Sequence, residues 1–224
     1  MKKVALFVMA LAGMTAQAQT NLQVHYDFGE GREYVTTTLE MFKPDKWGNT
    51  FFFVDYNFNS TKYNHPSESY MEIARCLKFW DGPISAHIEY NGGLGVVKDF
   101  NFGYVINNAY LAGIDYGWNN ADFSTTLNLK ALYKNIAGKQ HSVQFTGVWG
   151  HHFLDRKMSF TGFADFWLED DAALNTSTVF ITEPQLWYNF TENFSFGTEI
   201  EIASNFAGQE GLKVCPTLGV KWNF

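Results

Sequence analysis

The sequence predicts an all-β protein: a single closed antiparallel transmembrane β-barrel of about twelve strands. Three observations predict it. Apolar and polar residues alternate with period 2 through most of the chain, the pattern of strands with one apolar and one polar face. Beyond residue 18 apolar runs are short, Phe51-Phe52-Phe53-Val54 being about the longest, far from the roughly 20 residues a membrane-crossing helix needs. Short connections also alternate with longer ones, the arrangement of barrels with tight periplasmic turns and longer outer loops.

Composition agrees and excludes other classes. The 224 residues are 46% hydrophobic and 18% aromatic but only 17% charged, against roughly 25% charged in an average soluble domain. A disordered chain would have few aromatics and much charge. With 16 Lys and Arg against 23 Asp and Glu, the chain is acidic, whereas a partner of nucleic acid polymers would be basic.

The elements follow in order. Lys2 and Lys3, the apolar run from Val4 to Met14 and Ala16-Gln17-Ala18 read as a secretory signal peptide over 1–18. No Cys follows it to take a lipid anchor. Residues 19–224 then form the barrel, with strands expected at 22–28, 32–43, 47–58, 68–79, 83–91, 104–118, 121–133, 141–152, 157–168, 177–190, 193–206 and 212–224. The first two are joined by Gly29-Glu30-Gly31, the one short outer connection. Pro44-Asp45-Lys46 turns the second into the third, which opens on Trp47. The fourth ends at the Trp80-Asp81-Gly82 turn and carries Arg75 between Ile73 and Leu77, on the lipid face. In the fifth, Ile84, Ala86, Ile88 and Tyr90 alternate with Ser85, His87 and Glu89, and Gly92 to Gly103 reads as a long loop. Asn119-Asn120 turns the sixth into the seventh, where Phe123, Thr125, Leu127, Leu129, Ala131 and Tyr133 share one face. The eighth and ninth meet at Phe153 to Arg156, and the tenth contains Glu183-Pro184. A bulge beside Arg75 and another beside Pro184 would relieve the cation on the lipid face and the missing ladder donor. Thr191-Glu192 leads to the eleventh, and the twelfth alternates without fault from Leu212 to Phe224. Trp47, Trp80, Trp118, Trp149, Trp187 and Trp222, with Tyr26, Tyr34, Tyr133 and Tyr188, lie near strand ends, as expected of interfacial aromatic girdles.

The chain ends Gly-Val-Lys-Trp-Asn-Phe, with Phe224 terminal on an alternating strand, which looks like the C-terminal signature of bacterial outer-membrane barrels. The chain further resembles the Tsx-like nucleoside-specific channel family. The matching pieces are Thr38-Leu39-Glu40-Met41-Phe42-Lys43 leading to Asp45-Lys46-Trp47, then Val54-Asp55-Tyr56, Tyr70-Met71-Glu72-Ile73 and the closing strand. The resemblance implies a twelve-stranded outer-membrane channel passing nucleosides. It also implies outer-membrane lipid as surroundings and the barrel-assembly machinery as the route of insertion.

The polar register places Glu40, Asp55, Glu72, Glu89, Asp115, Asp165, Glu183, Glu199 and Glu201 inward, with His87. Lys78, Lys130, Lys213 and Lys221 share that face, as do Phe51, Phe53, Tyr70, Phe163, Trp167 and Trp187. Inward carboxylates and aromatic rings suit small neutral or cationic solutes, whose rings can stack and whose hydroxyls and amines can donate hydrogen bonds. Two readings of the interior stay open: a solute path, or a barrel plugged by its own charge networks that acts through its outer loops. An enzyme is the weakest alternative, because no catalytic or cofactor motif occurs. His151 and His152 point to opposite faces, and Glu169-Asp170-Asp171 reads as a solvated loop before it reads as a Ca²⁺ site. Cys76 and Cys215, the only cysteines, lie on the inward face of the fourth and twelfth strands. Four inter-strand spacings of ~4.8 Å separate them, beyond disulfide reach.

The export reading predicts that the mature protein begins at Gln19. Intact mass spectrometry of membrane-extracted protein is expected to match residues 19–224, and a mass that retains Met1 would contradict export.

Overall fold

The computed structural model describes residues 19–59, 65–97, 102–172 and 175–224, so the expected signal peptide lies outside the described residues. Thirteen antiparallel segments make one sheet. They are β1 (Gln19–Asp27), β2 (Val35–Asp45), β3 (Gly48–Phe58), β4 (Glu68–Leu77), β5 (Ile84–Val97), β6 (Phe102–Asn119), β7 (Thr125–Ile136), β8 (Ser142–Phe153), β9 (Met158–Asp171), β10 (Thr176–Thr182), β11 (Gln185–Asn189), β12 (Phe194–Ser204) and β13 (Leu212–Asn223). The last strand pairs with the first, from Asn21 opposite Asn223 to Asp27 opposite Thr217, and this closes the sheet into a barrel. Both β10 and β11 run between β9 and β12. They are two halves of one stave, and the barrel has twelve staves.

The break in that stave falls at Glu183-Pro184, where proline supplies no N–H to the ladder. Opposite lies Gly162 at φ 154°, where a Cβ would sit 2.6 Å from the Glu183 carbonyl oxygen and 3.0 Å from the Pro184 Cα. Glycine is therefore required across from the proline. The chain stays joined to its neighbours through Glu183 N–H to Phe163 O at 3.1 Å and Ile200 N–H to Pro184 O at 3.0 Å. Thr182 faces Ala164 and Gln185 faces Thr161, so no residue is added and the in–out alternation survives. The expected bulge is instead a break. Beside Arg75 there is no bulge either, because β3 and β4 pair without a shift. Arg75 lies at the short-turn edge, where its guanidinium donates to Asp45 at 2.6 and 2.9 Å and to Thr50 at 3.1 Å. Its charge is paired at the rim, so it does not meet the apolar midplane.

Three expected boundaries move. The stretch 92–103, read as a loop, is strand up to Val97 and again from Phe102. A shift in the β5–β6 register between Asn91 and Gly93 marks a bulge there. Gly93 lies against the Ser69 carbonyl and Gly95 under the Tyr104 ring, so these glycines serve close approach within the strand and do not form a turn. Residues 121–124, expected as strand, are a turn. Asn120 Oδ1 accepts from the Thr125 N–H and Asp122 Oδ1 from the Ser124 N–H, and such side-chain acceptors compete with a ladder. Arg32 leaves the expected second strand for the β1–β2 loop.

Burial is inverted relative to a soluble protein. Leu22, Leu39, Ile73, Ile88, Ile114, Leu129, Phe145, Phe166, Leu186, Phe196 and Leu218 are exposed, whereas Asn21, Gln23, His25, Asp27, His87, Asn91, Asp115, Gln144, Thr146 and Thr217 are buried. Apolar side chains outward and polar ones inward define a transmembrane barrel. Among the described residues no helix is long and apolar enough to cross a membrane; the strands make the crossing. Trp47, Trp80, Trp118 and Trp222 are exposed at the short-turn edge, as a girdle requires.

Trp187, expected in that girdle and also on the inward face, belongs to the interior alone. It has no exposed surface. Its ring covers Gly197 across the β11–β12 ladder and meets His25 edge-on at 5.5 Å. Lys221 Nζ lies 4.1 Å from its centroid, and its Nε1–H donates to Gln185 at 2.8 Å. Trp187→Ala is expected to destabilise the barrel by about 3–5 kcal/mol, the usual cost of deleting a buried tryptophan. Denaturant unfolding of the refolded barrel in detergent measures this, and an unchanged midpoint would contradict the packing role.

Candidate functional site

The interior is built by alternation carried from stave to stave. Starting from the buried Asn21, Gln23, His25 and Asp27, the ladder registers place Glu40, Phe51, Phe53, Asp55, Tyr70, Glu72, His87, Glu89, Asp115, Asp165, Trp167, Glu183, Glu199 and Glu201 on the inward side. They do not form one site. They divide into a half-buried wall on β2–β4, a charged mouth beneath the outer loops, and two packed clusters.

On the β2–β4 wall the rings of Phe51, Phe53 and Tyr70 follow one another, with centroids 6.1 and 6.0 Å apart. All three keep part of their surface accessible. Carboxylates flank the strip. Tyr70 Oη donates to Glu72 at 2.6 Å, Thr38 Oγ1 to Asp55 at 2.5 Å and Asn21 Nδ2 to Glu40 at 2.9 Å. Across the barrel, Gln185 Nε2 donates to Glu199 at 2.5 Å. Asp165 keeps a buried oxygen, Oδ1, with no hydrogen-bond partner among the described residues.

At the mouth on the longer-loop side, Arg32 turns inward. It donates to Glu201 at 2.5 and 2.9 Å and to Asp27 at 3.1 Å. Burial disfavours its charge, but the Glu201 hydrogen bond and the attraction of Glu201, Tyr34 and Cys215 together outweigh that and raise its pKa, so the guanidinium stays charged. Asp27 Oδ1 in turn accepts from the Gly29 N–H at 2.6 Å, which ties the β1–β2 loop to the wall. Cys215 lies against Gly29 at this mouth, whereas Cys76 adjoins Leu77 at the far end of β4. Both thiols are free, at opposite ends of the barrel.

Trp167 faces inward but offers no open ring. Lys134 Nζ caps it at 3.7 Å, and it packs with Val179, Ile181 and Ala203. Lys134 donates to Gln144 at 2.6 Å, and Trp167 Nε1–H to Glu169 at 2.8 Å. Its expected place on a solute path is therefore occupied by the protein's own cation.

The second cluster was not anticipated from sequence. Cys76 Sγ lies 3.3 Å from His87 Nδ1 and 3.3 Å from Asp115 Oδ2, and all three residues are buried. Alternation assigns a face but not a neighbour. One signal could have found the first pair: residues 76 and 87 lie nearly symmetrically about the Trp80-Asp81-Gly82 turn, and the hairpin sets them opposite each other.

A twelve-stave barrel with apolar walls and a polar, partly accessible interior defines the porin class of fold. Solved structures agree. The "KdgM porin" has a TM-score of 0.54 at 14% identity, covering 92% of this chain and 99% of that one. The same porin "in complex with disordered oligogalacturonate" scores 0.53 at 14% identity, again covering 92% and 99%. A "NanC porin" scores 0.60 at 12% identity, covering 92% and 100%. Identities this low establish the fold alone. Among curated proteins none matches the sequence. The chain belongs to the family described as "Domain of unknown function (DUF5020)", whose model matches residues 18–224.

Proposed function

We propose that the protein is a bacterial outer-membrane diffusion channel for small neutral or cationic solutes, with nucleosides as the favoured class. The observation that carries this reading is the β2–β4 wall. An accessible strip of Phe51, Phe53 and Tyr70 is bordered by Glu40, Asp55 and Glu72, where a planar base can stack and its ribose can donate hydrogen bonds. The Tsx-like resemblance supports the same solute class. The signal-peptide pattern over residues 1–18 supports export, and the closed barrel with its apolar outer face supports insertion by the barrel-assembly machinery into outer-membrane lipid.

Interior charge argues against acidic sugars. The KdgM porin has been solved with oligogalacturonate, a polyanion. Here the inward carboxylates outnumber the inward cations, among which Arg32 is held by Asp27 and Glu201, Lys134 lies over Trp167, Lys221 over Trp187, and Lys130 faces Asp115. A low-dielectric wall focuses such a field, and rings of Asp and Glu favour cations. The second reading, a plugged barrel acting through its loops, is favoured by the packing around Trp187 and Trp167. No catalytic role enters either reading.

Planar-bilayer recording decides between them. The channel reading expects stepwise conductance, a cation-selective reversal potential under a salt gradient and nucleoside flux into liposomes. Glu72→Gln and Glu199→Gln should each lower cation preference, by up to about five-fold if one charge acts at ~4 Å in water-like surroundings. Arg32→Gln should raise it. No conductance from protein that retains heat-modifiable gel migration would favour the plug, and anion selectivity would remove the nucleoside reading.

A further inference from the structure

The Cys76, His87 and Asp115 cluster is buried and lies apart from the accessible aromatic strip. We propose that these three side chains form a Zn²⁺ site inside the barrel, near its short-turn end. The candidate ligand atoms of the three residues all lie within 4.8 Å of one another. Cys76 Sγ is 3.3 Å from both His87 Nδ1 and Asp115 Oδ2, and those two are 4.0 Å apart. Tetrahedral zinc, with bonds of about 2.0–2.3 Å, sets its ligand atoms roughly 3.3–3.6 Å apart. Closing the 4.0 Å His87–Asp115 separation by roughly half an ångström or slightly more brings the three onto one face of such a tetrahedron.

The outer partners support this independently, because each occupies the atom a metal would not use. His87 Nε2 lies 2.8 Å from Glu89 Oε2. A proton on Nε2 therefore leaves the Nδ1 lone pair facing Cys76 and Asp115, the carboxylate–histidine–metal arrangement. Asp115 Oδ1 accepts from Asn128 Nδ2 at 2.8 Å, which leaves Oδ2 toward the cluster. The Cys76 thiol donates its proton to that same Oδ2, so the ion would take the place of this proton. On binding, the S–H bond breaks, a zinc–thiolate bond forms and the proton leaves to water.

Charge and ligand type select the ion. Lys130 faces Asp115 across the β6–β7 ladder. With Cys76 as thiolate, Cys76, Asp115, Glu89 and Lys130 carry two net negative charges, which a divalent cation neutralises. Thiolate with imidazole favours zinc over Mg²⁺ or Ca²⁺, which take oxygen ligands. Three protein ligands leave a fourth position for water. The site does not depend on the channel reading, since it requires only the closed barrel.

Calorimetric titration of the refolded mature barrel with Zn²⁺ tests the proposal. One equivalent is expected to bind, with loss of binding in Cys76→Ser and His87→Ala and retention in Cys215→Ser. Glu89→Gln is expected to weaken affinity ten- to a hundred-fold. Co²⁺ should give a thiolate-to-cobalt charge-transfer band in the wild-type protein, a readout that holds even if a variant fails to fold. Absence of that band, binding unchanged in Cys76→Ser, or binding lost only in Cys215→Ser would overturn the assignment.

Discussion

The seam between β1 and β13 is the constraint from which the rest of the structure follows. In hydrocarbon, each unpaired backbone N–H or C=O costs several kcal/mol, so a sheet can span only when it has no edge. Here the first and last strands pair residue for residue from Asn21–Asn223 to Asp27–Thr217. Phe224 N–H is held by the Thr20 carbonyl at 2.9 Å. Once the ring closes, each side chain must face either lipid or interior, because alternation admits no third direction. The break at Glu183-Pro184 is tolerable because flanking hydrogen bonds hold it on both sides and Gly162 makes room opposite.

Closure gives the interior its difficulty and its chemistry. Inward polar groups leave water and must find partners. They do so in local networks: Arg32 with Asp27 and Glu201, Lys134 over Trp167, and Lys221 over Trp187. These three groups draw on β1 and its loop to β2, and on β7, β9 and β11–β13, and they fill one side of the barrel. The β2–β4 side is left with smaller demands and an accessible aromatic strip. This asymmetry gives one molecule a packed half and a half lined by an accessible aromatic strip.

The two faces were legible because period 2 is a property of neighbouring residues. Ile84 to Tyr90 and Leu212 to Phe224 name their own faces, and the structure keeps them. Boundaries were less legible where one residue type serves two purposes. Gly93 and Gly95 read as loop and turned out to admit a close carbonyl and a tyrosine ring. Asp122 and Ser124 continued the alternation but hydrogen-bond each other in a turn. Arg32 sat in a strand pattern, but its charge is drawn to Glu201, 169 positions away. Asp115 meets Cys76 only through the ladders of β5, a pairing between staves that no local pattern encodes.

Spin labels placed singly along β3, from Phe51 to Tyr56, test the inside–outside assignment most directly in lipid bilayers. The closed transmembrane barrel predicts high accessibility to oxygen at 52, 54 and 56 and low accessibility at 51, 53 and 55, where a water-soluble nickel chelate should compete better. Accessibility without period 2, or with the two sets exchanged, would contradict the barrel described here.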